Sequence, residues 1–151
     1  MFSTISIVDR FLAVEGLTIT RSKLQLVGVA AMFLASKVEE VYAPACSDFV
    51  YITDGASTAE DVKACELKIL SALNFNVTRP HSLHFLRRNS KAGDANQEQH
   101  NLAKFLMECT IGEYELAHQP PSLVASASLL LALKLTNSPE VLADHSTGDF
   151  F

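Results

Sequence analysis

The sequence predicts an all-α protein, and three observations support that prediction. Of the 151 residues, 48% are hydrophobic and 19% are charged, so the chain can bury a sizeable core. Glycine and proline are sparse, and they separate segments of helical length. Asp54-Gly55 could turn a β-hairpin, but the residues after it are typical of a helix start. The chain is therefore expected to fold as packed helices.

Helical segments are predicted between these breaks. They cover residues 2–14, 21–38, 46–53, 58–74, 81–90, 95–117 and 122–135. The fourth is expected to begin with a capping box, in which Ser57 covers free amide groups and Glu60 reaches back. Pro121 and Ser122 suit the opening turn of the last segment.

Two of these helices are apolar nearly all round, which is typical of a helix buried on every side. Residues 26–37 (LVGVAAMFLASK) overlay residues 123–134 (LVASASLLLALK), with Leu, Val, Ala, Leu, Ala and Lys matching in order. The overlay indicates an internal repeat, although alanine- and leucine-rich helices also match by chance. A repeat predicts two similar units, each around a buried central helix. Their boundary is expected near residues 76–80, because Pro80 disfavours helical geometry at Arg79.

Composition argues against several classes of function. The net charge of −5 disfavours a nucleic-acid partner, which needs a basic face. Cys46, Cys65 and Cys109 are odd in number and form no C-x-x-C pair, so neither a disulfide framework nor a thiolate zinc site is predicted. The N-terminus lacks a secretory signal, and the apolar stretch 24–35 is too short to span a membrane. A reducing intracellular compartment and no membrane partner are expected.

The sequence contains no recognisable catalytic pattern. The sequence has no Gly-rich phosphate loop, nucleophile elbow or H-E-x-x-H motif. His81 and His84 lie one helical turn apart, but no nearby carboxylate or thiolate completes a metal set. We therefore predict no enzymatic activity, metal, cofactor or small-molecule substrate.

Two charged residues lie beside the predicted core. Lys37 ends the first buried helix, where the helix dipole favours a solvated lysine. Glu66 shares a helical stripe with Val62, Ile69 and Leu73, so its carboxylate falls within a face that should be packed. Burying an unpaired carboxylate is costly. Either Glu66 pairs internally, for instance with Lys37, or its face meets a partner.

The densest basic run is residues 87–91 (RRNSK). Arginines upstream of Ser90 resemble a substrate of a basophilic kinase, which makes this serine a candidate phosphosite. A solvated helix end is the competing interpretation.

Longer strings resemble the cyclin family, and within it the B-type (mitotic) cyclins. Those resembling the first cyclin box are residues 7–12 (IVDRFL), 23–28 (KLQLVG), 34–40 (LASKVEE) and 48–54 (DFVYITD). Those resembling the second box, and pointing to the B type, are residues 82–92 (SLHFLRRNSKA) and 98–108 (EQHNLAKFLME). The resemblance runs from about residue 2 to 136.

The resemblance implies tandem cyclin-box helical bundles, both incomplete in this chain. Residues 1–77 resemble the first box without its first helix, and residues 78–136 resemble the N-terminal part of the second. Residues 137–151 form a divergent tail, in which residues 145–148 (HSTG) resemble a family turn. Loss of box helices would expose central-helix surface, so we expect the chain alone to be only marginally stable.

As to function, the resemblance implies a regulatory subunit that activates a mitotic cyclin-dependent serine/threonine kinase and controls the G2/M transition. It would do so by holding the mobile αC helix of the kinase in its active position. In the family, the lysine and glutamate that match Lys37 and Glu66 hold backbone groups at the start of αC, and the aromatic that matches Phe75 packs beside it. The implied kinase-binding residues are Lys37, Val38, Glu39, Glu40, Glu66 and Phe75.

Some positions depart from the family pattern. Val38 stands where mitotic cyclins usually have an aromatic residue, which should reduce contact with the kinase. Leu24 and Gln25 match only part of the substrate-docking patch of the family. Residence in both nucleus and cytoplasm is expected. The alternatives are a cyclin-box module of the transcription machinery, a non-activating truncated cyclin, a helical scaffold without a kinase partner, and an enzyme.

Overall fold

The structure of the chain is a computed structural model that describes residues 1–137. Within this range the regular structure is entirely helical, which confirms the predicted all-α class. The α-helices are α1 (Phe2–Glu15), α2 (Leu24–Glu39), α3 (Cys46–Tyr51), α4 (Ala59–Ala72), α5 (Ser82–Ala92), α6 (Gln97–Cys109) and α7 (Pro121–Asn137). Short 3₁₀ turns lie at Gly16–Thr18, Arg21–Lys23, Thr110–Gly112 and Tyr114–Leu116. No helix of residues 1–137 is long and apolar enough to cross a membrane.

The predicted helix over residues 95–117 is wrong at its C-terminal end, because α6 stops at Cys109. The hydroxyl of Thr110 donates to the carbonyl oxygen of Met107 at 2.8 Å, and the backbone tightens into a 3₁₀ turn that ends at Gly112. Threonine hydroxyls that bond to nearby carbonyls compete with the helical ladder. The predicted continuous helix is thus α6 followed by two turns.

Helix α4 begins with a capping box one residue later than predicted. Thr58, rather than Ser57, is the N-cap residue, and its hydroxyl accepts from the amide of Asp61 at 3.2 Å. The carboxylate of Asp61 in turn accepts from the amide of Thr58 at 2.9 Å. The Thr58 amide and hydroxyl hold the pKa of Asp61 below its ordinary value. The predicted roles of Ser57 and Glu60 are therefore corrected.

We expect Thr58→Ala to lower the free energy of unfolding by about 1 kcal/mol, because the amide of Asp61 loses its acceptor at the helix start. The matched control is Ser57→Ala, which should change stability by less than about 0.5 kcal/mol. Urea unfolding followed by circular dichroism measures both. A larger loss in Ser57→Ala than in Thr58→Ala would contradict the observed cap.

The chain divides into two compact units, the first spanning Met1–Arg79 and the second starting at Pro80. This division falls within the segment 76–80 where the sequence predicts a boundary. In the first unit, α2 packs against α1, α3 and α4. Its core comprises Ile7, Phe11, Val27, Val29, Ala30, Ala31, Phe33, Leu34, Ala35, Phe49, Val62, Ile69 and Leu73. α2 is therefore the central helix of this unit.

In the second unit, α7 packs against α5 and α6. Leu86 of α5, Met107 of α6 and Ala132 of α7 are fully buried. The prediction that this helix is buried on every side is wrong within the described residues. The exposed fractions of Leu123, Leu130, Leu131 and Leu135 are 39–55%. Among residues 1–137 only α5 and α6 cover α7 closely, so its remaining face stays open and apolar.

Candidate functional site

The candidate site is built around an ion pair between Lys37 and Glu66. Lys37 lies in the last turn of α2, and Glu66 lies in the middle of α4, a helix that packs along α2. The lysine side chain is 39% exposed, whereas Glu66 as a residue is 9% exposed. Internal pairing, one of the two possibilities left open for Glu66, is thus present. The carboxylate is held at the edge of the core by a lysine whose side chain is partly exposed.

Aromatic rings underlie the ammonium group of Lys37. Its nitrogen lies 4.1 Å from the ring centroid of Phe33, one turn earlier on the same helix. The ring of Phe33 packs at 5.2 Å from that of Phe49 on α3, with an angle of 54° between the ring planes. The charged pair therefore sits on a buried aromatic cluster.

The residues that follow Lys37 lie outside the core. Val38, Glu39 and Glu40 are exposed at the end of α2. The hydroxyl of Ser3 donates to Glu39 Oε1 at 2.7 Å, which ties the start of α1 to the end of α2. Exposed apolar side chains continue immediately downstream with Val41 and Tyr42. The end of α2 thus offers mixed charged and apolar surface.

Phe75 is presented by a tight turn after α4. Asn74 and Phe75 have φ angles of +49° and +59°, and the amide of Phe75 donates to the carbonyl of Leu70 at 2.8 Å. A bulky residue in the left-handed region costs on the order of 1 kcal/mol or more. The aromatic ring is nonetheless 66% exposed. The backbone therefore holds a strained conformation in which a large apolar side chain faces solvent.

The structure brings only part of the predicted kinase-binding set into direct contact. Lys37 and Glu66 pair, while Val38 and Phe75 are exposed on the same unit. Sequence reasoning missed exposed apolar residues of this unit, among them Val41, Tyr42, Tyr51 and Leu67. The position of Leu67 beside Glu66, outside the stripe of Val62 and Ile69, was the available signal for one of them.

Leu24 and Gln25 lie at the opposite end of α2 from Lys37 and are exposed. At 1.5 Å per residue, roughly 18 Å of helix separates them from the ion pair. The predicted docking residues are therefore distinct from the predicted kinase-binding residues.

A cavity of about 380 Å³ lies near this end of α2, with Phe11, Ile19, Leu26 and Cys65 among its lining residues. Burial raises the pKa of the Cys65 thiol, although Lys68 and Lys23 act in the opposite direction. A thiol with a raised pKa is mostly protonated near neutral pH and is a poor nucleophile.

Ser90 is 7% exposed, and its hydroxyl lies 2.8 Å from Nδ1 of His100 on α6. Arg87 and Arg88 are exposed, as a solvated helix end would have them. A modifying kinase would have to pull the end of α5 from α6 to reach the hydroxyl. The geometry therefore counts against the predicted phosphosite.

His81 and His84 take part in the start of α5. The amide of His81 donates to Nδ1 of His84 at 3.1 Å. Across residues 1–137 no group of three or more histidine, cysteine, aspartate or glutamate side chains could hold a metal ion.

Comparisons with known proteins identify the family. The cyclin N-terminal domain model matches residues 1–78, and the cyclin C-terminal domain model matches residues 80–147. The chain belongs to the cyclin family. The second match extends past residue 137 and ends at residue 147, so it includes all but the last residue of the predicted family turn at residues 145–148, which lies outside the described residues.

Relatives of this cyclin include G2/mitotic-specific proteins. It is 52% identical over 149 residues to the G2/mitotic-specific cyclin-B of Patella vulgata, covering 97% of this chain and 36% of the relative. It is 53% identical over 132 residues to the G2/mitotic-specific cyclin-B2 of Anguilla japonica, covering 87% of this chain and 33% of the relative. The chain thus spans about a third of the length of these relatives. The resemblance to B-type cyclins is confirmed.

A solved structure shares the fold. The viral cyclin from herpesvirus saimiri superposes with a TM-score of 0.76 at 22% identity, over 97% of this chain and 67% of that one. This likeness confirms the cyclin-box fold.

Proposed function

We propose that this cyclin is a regulatory subunit that binds a mitotic cyclin-dependent kinase and activates it at the G2/M transition. The observation that carries the proposal is the Lys37 and Glu66 pair at the rim of the first unit. It occurs in a chain that is about half identical to G2/mitotic-specific cyclins over most of its length. The partner class follows from that family membership.

The pair suits recognition of the backbone at the start of a helix. The first amides of a helix have no partner within it, and they carry the positive end of the helix dipole. The carboxylate of Glu66 can accept from such amides, and the ammonium of Lys37 can donate to carbonyl groups just before them. Both charged groups then bind backbone groups at the start of the helix, so these contacts do not depend on the side chains of the kinase.

Gripping the αC helix of a kinase in this way would bias an equilibrium between two kinase states. In the active state a glutamate of αC pairs with the lysine that positions ATP phosphates. A cyclin that binds only the inward position of αC stabilises that state by its differential affinity. Activation therefore needs no chemistry from the cyclin itself, so we propose a regulatory rather than an enzymatic role.

Exposed apolar residues of the first unit would supply contact area next to the charged pair. Val41, Tyr42, Leu67 and Phe75 are large and exposed, and aromatic anchors commonly dominate interface energies. Val38 provides less area than the aromatic residue usual at its position, which should weaken kinase binding.

A second candidate is a non-activating cyclin that binds a kinase without switching it on. The open leucine face of α7 favours it, because it leaves apolar surface of the second unit uncovered by the helices of residues 1–137, whereas the first unit, which holds the proposed binding residues, is packed around α2. A transcription-factor role is less well supported, since 17 acidic residues outnumber 12 basic ones.

Calorimetric titration of a purified mitotic cyclin-dependent kinase with this chain tests the proposal, together with a peptide phosphorylation assay. We expect saturable one-to-one binding and a rise in kinase activity. Binding without a rise would favour the non-activating cyclin. No binding by a chain shown to be helical by circular dichroism would refute both.

A further inference from the structure

We propose that Phe33 is a positioning residue for Lys37, holding its ammonium group in the orientation that engages a kinase. This inference rests on the proposed function. Its starting point is the distance of 4.1 Å between the lysine nitrogen and the Phe33 ring centroid. That separation is well within the range of about 6 Å over which a cation is attracted to an aromatic face.

The ring gives Lys37 a restraint that Glu66 alone does not. A lysine has a flexible stem and three rotatable donors, so one carboxylate holds its nitrogen nearby but leaves the approach of the stem free. The face of Phe33 on α2 attracts the same nitrogen that Glu66 on α4 pairs with. Two attractive groups on different helices restrict the ammonium to fewer positions than either group does alone. Fewer positions in the free protein reduce the entropy lost on binding.

The aromatic pair beneath Lys37, formed by Phe33 and Phe49, is itself rigid. Phe33 is buried in the core of the first unit, and so is Phe49, whose ring lies 5.2 Å away in a tilted arrangement. Tilted aromatic pairs are favourable, and buried rings hold one rotamer. The attraction on Lys37 therefore comes from a fixed direction, set by packing between α2 and α3.

The internal repeat supplies a natural comparison. In the overlay of residues 26–37 on 123–134, Lys37 corresponds to Lys134 and Phe33 corresponds to Leu130. Leucine thus occupies the matching position of the second central helix, where it lies exposed. A ring is not required at this position for a central helix to form. In the first unit the aromatic side chain lies beneath Lys37, which pairs with the buried Glu66.

A double-mutant cycle tests the inference by measuring kinase affinity for the unaltered chain, Phe33→Leu, Lys37→Met, and both together. We expect Phe33→Leu to weaken binding roughly threefold to tenfold when Lys37 is present. In the Lys37→Met background the same change should have no effect, because the group that Phe33 positions is gone. Equal loss in both backgrounds would mean that Phe33 has only a structural role and would overturn the inference.

A second variant separates the loss of attraction between Phe33 and Lys37 from a change in core packing. Replacing Phe33 by pentafluorophenylalanine keeps the ring nearly the same shape but reverses its quadrupole, so that the face no longer has a negative electrostatic potential. We expect it to weaken kinase binding as Phe33→Leu does while the chain stays folded; unchanged affinity would overturn the inference. Failure of the unaltered chain to bind would instead refute the proposed function, so the two failures are distinguishable.

Discussion

Exchanging the two charges of the site, by Lys37→Glu together with Glu66→Lys, is expected to lower kinase affinity by about 100-fold while the first unit stays folded. The exchange keeps an ion pair between α2 and α4 in the reversed sense. It presents a cation where amides need an acceptor and a carboxylate where carbonyls need a donor. Losing a buried charged contact at an interface costs roughly 2–5 kcal/mol, and about 2.7 kcal/mol corresponds to 100-fold. Isothermal titration calorimetry measures the change.

A matched control uses another ion pair of the same unit. Lys68 pairs with Glu15 at 3.2 Å, so Lys68→Glu with Glu15→Lys alters charge positions without changing net charge. This control should leave kinase affinity within about twofold, because a rim charge contributes little. If the two exchanged variants bound the kinase equally well, Lys37 and Glu66 would not be the gripping residues.

The core of the first unit should be most sensitive to loss of Phe11. This residue of α1 is fully buried and lies in the central cluster with Val27 and Ile69. Phe11→Ala removes a large apolar side chain and leaves a cavity, which typically costs about 3–5 kcal/mol of unfolding free energy. Since small domains are stable by only about 5–15 kcal/mol and this chain is expected to be marginally stable, the loss should remove most of the free energy of unfolding of the unit. Urea unfolding and hydrogen exchange of α1 and α2 measure the effect.

The control for this substitution is Leu17→Ala, which removes a large apolar side chain just after α1 that is fully exposed. Its expected effect is below about 0.5 kcal/mol. A loss of less than 1 kcal/mol in Phe11→Ala would show that α1 does not pack on α2 as described.

Patterns that depend on one helix were predictable from the sequence. The stripe of Val62, Ile69 and Leu73 located the buried face of α4, and Glu66 within it indicated a carboxylate that either pairs internally, for instance with Lys37, or meets a partner. The sequence left both possibilities open, because the contact depends on how α4 packs against α2. The contact of Phe33 with Lys37 could also have been anticipated, since residues four apart share a helix face.

The cap of α4 was not predictable, because the sequence offers two similar capping pairs next to each other. Ser57 with Glu60 and Thr58 with Asp61 are adjacent hydroxyl and acid pairs of the same spacing, so a local rule cannot choose between them. The structure uses the second pair, in which the carboxylate of Asp61 accepts from the amide of Thr58.

Features that depend on distant neighbours were missed for a different reason. Whether α7 is buried all round depends on how many helices surround it, and its own composition does not specify that number. From the sequence alone Ser90 was expected at a solvated helix end. In the structure it is buried, with its hydroxyl against His100 of α6.

The boundary between the two compact units, after Arg79, has a consequence for folding during synthesis on the ribosome. The first unit has its own core, and it contains Lys37, Glu66 and Phe75. Domains tend to fold in order from the N-terminus, at synthesis rates of about 5–20 residues per second. The proposed kinase-binding surface is therefore expected to form while residues 80–151 are still being synthesised. Under the proposed function, a kinase would then recognise the nascent chain, which would couple assembly of the complex to protein synthesis.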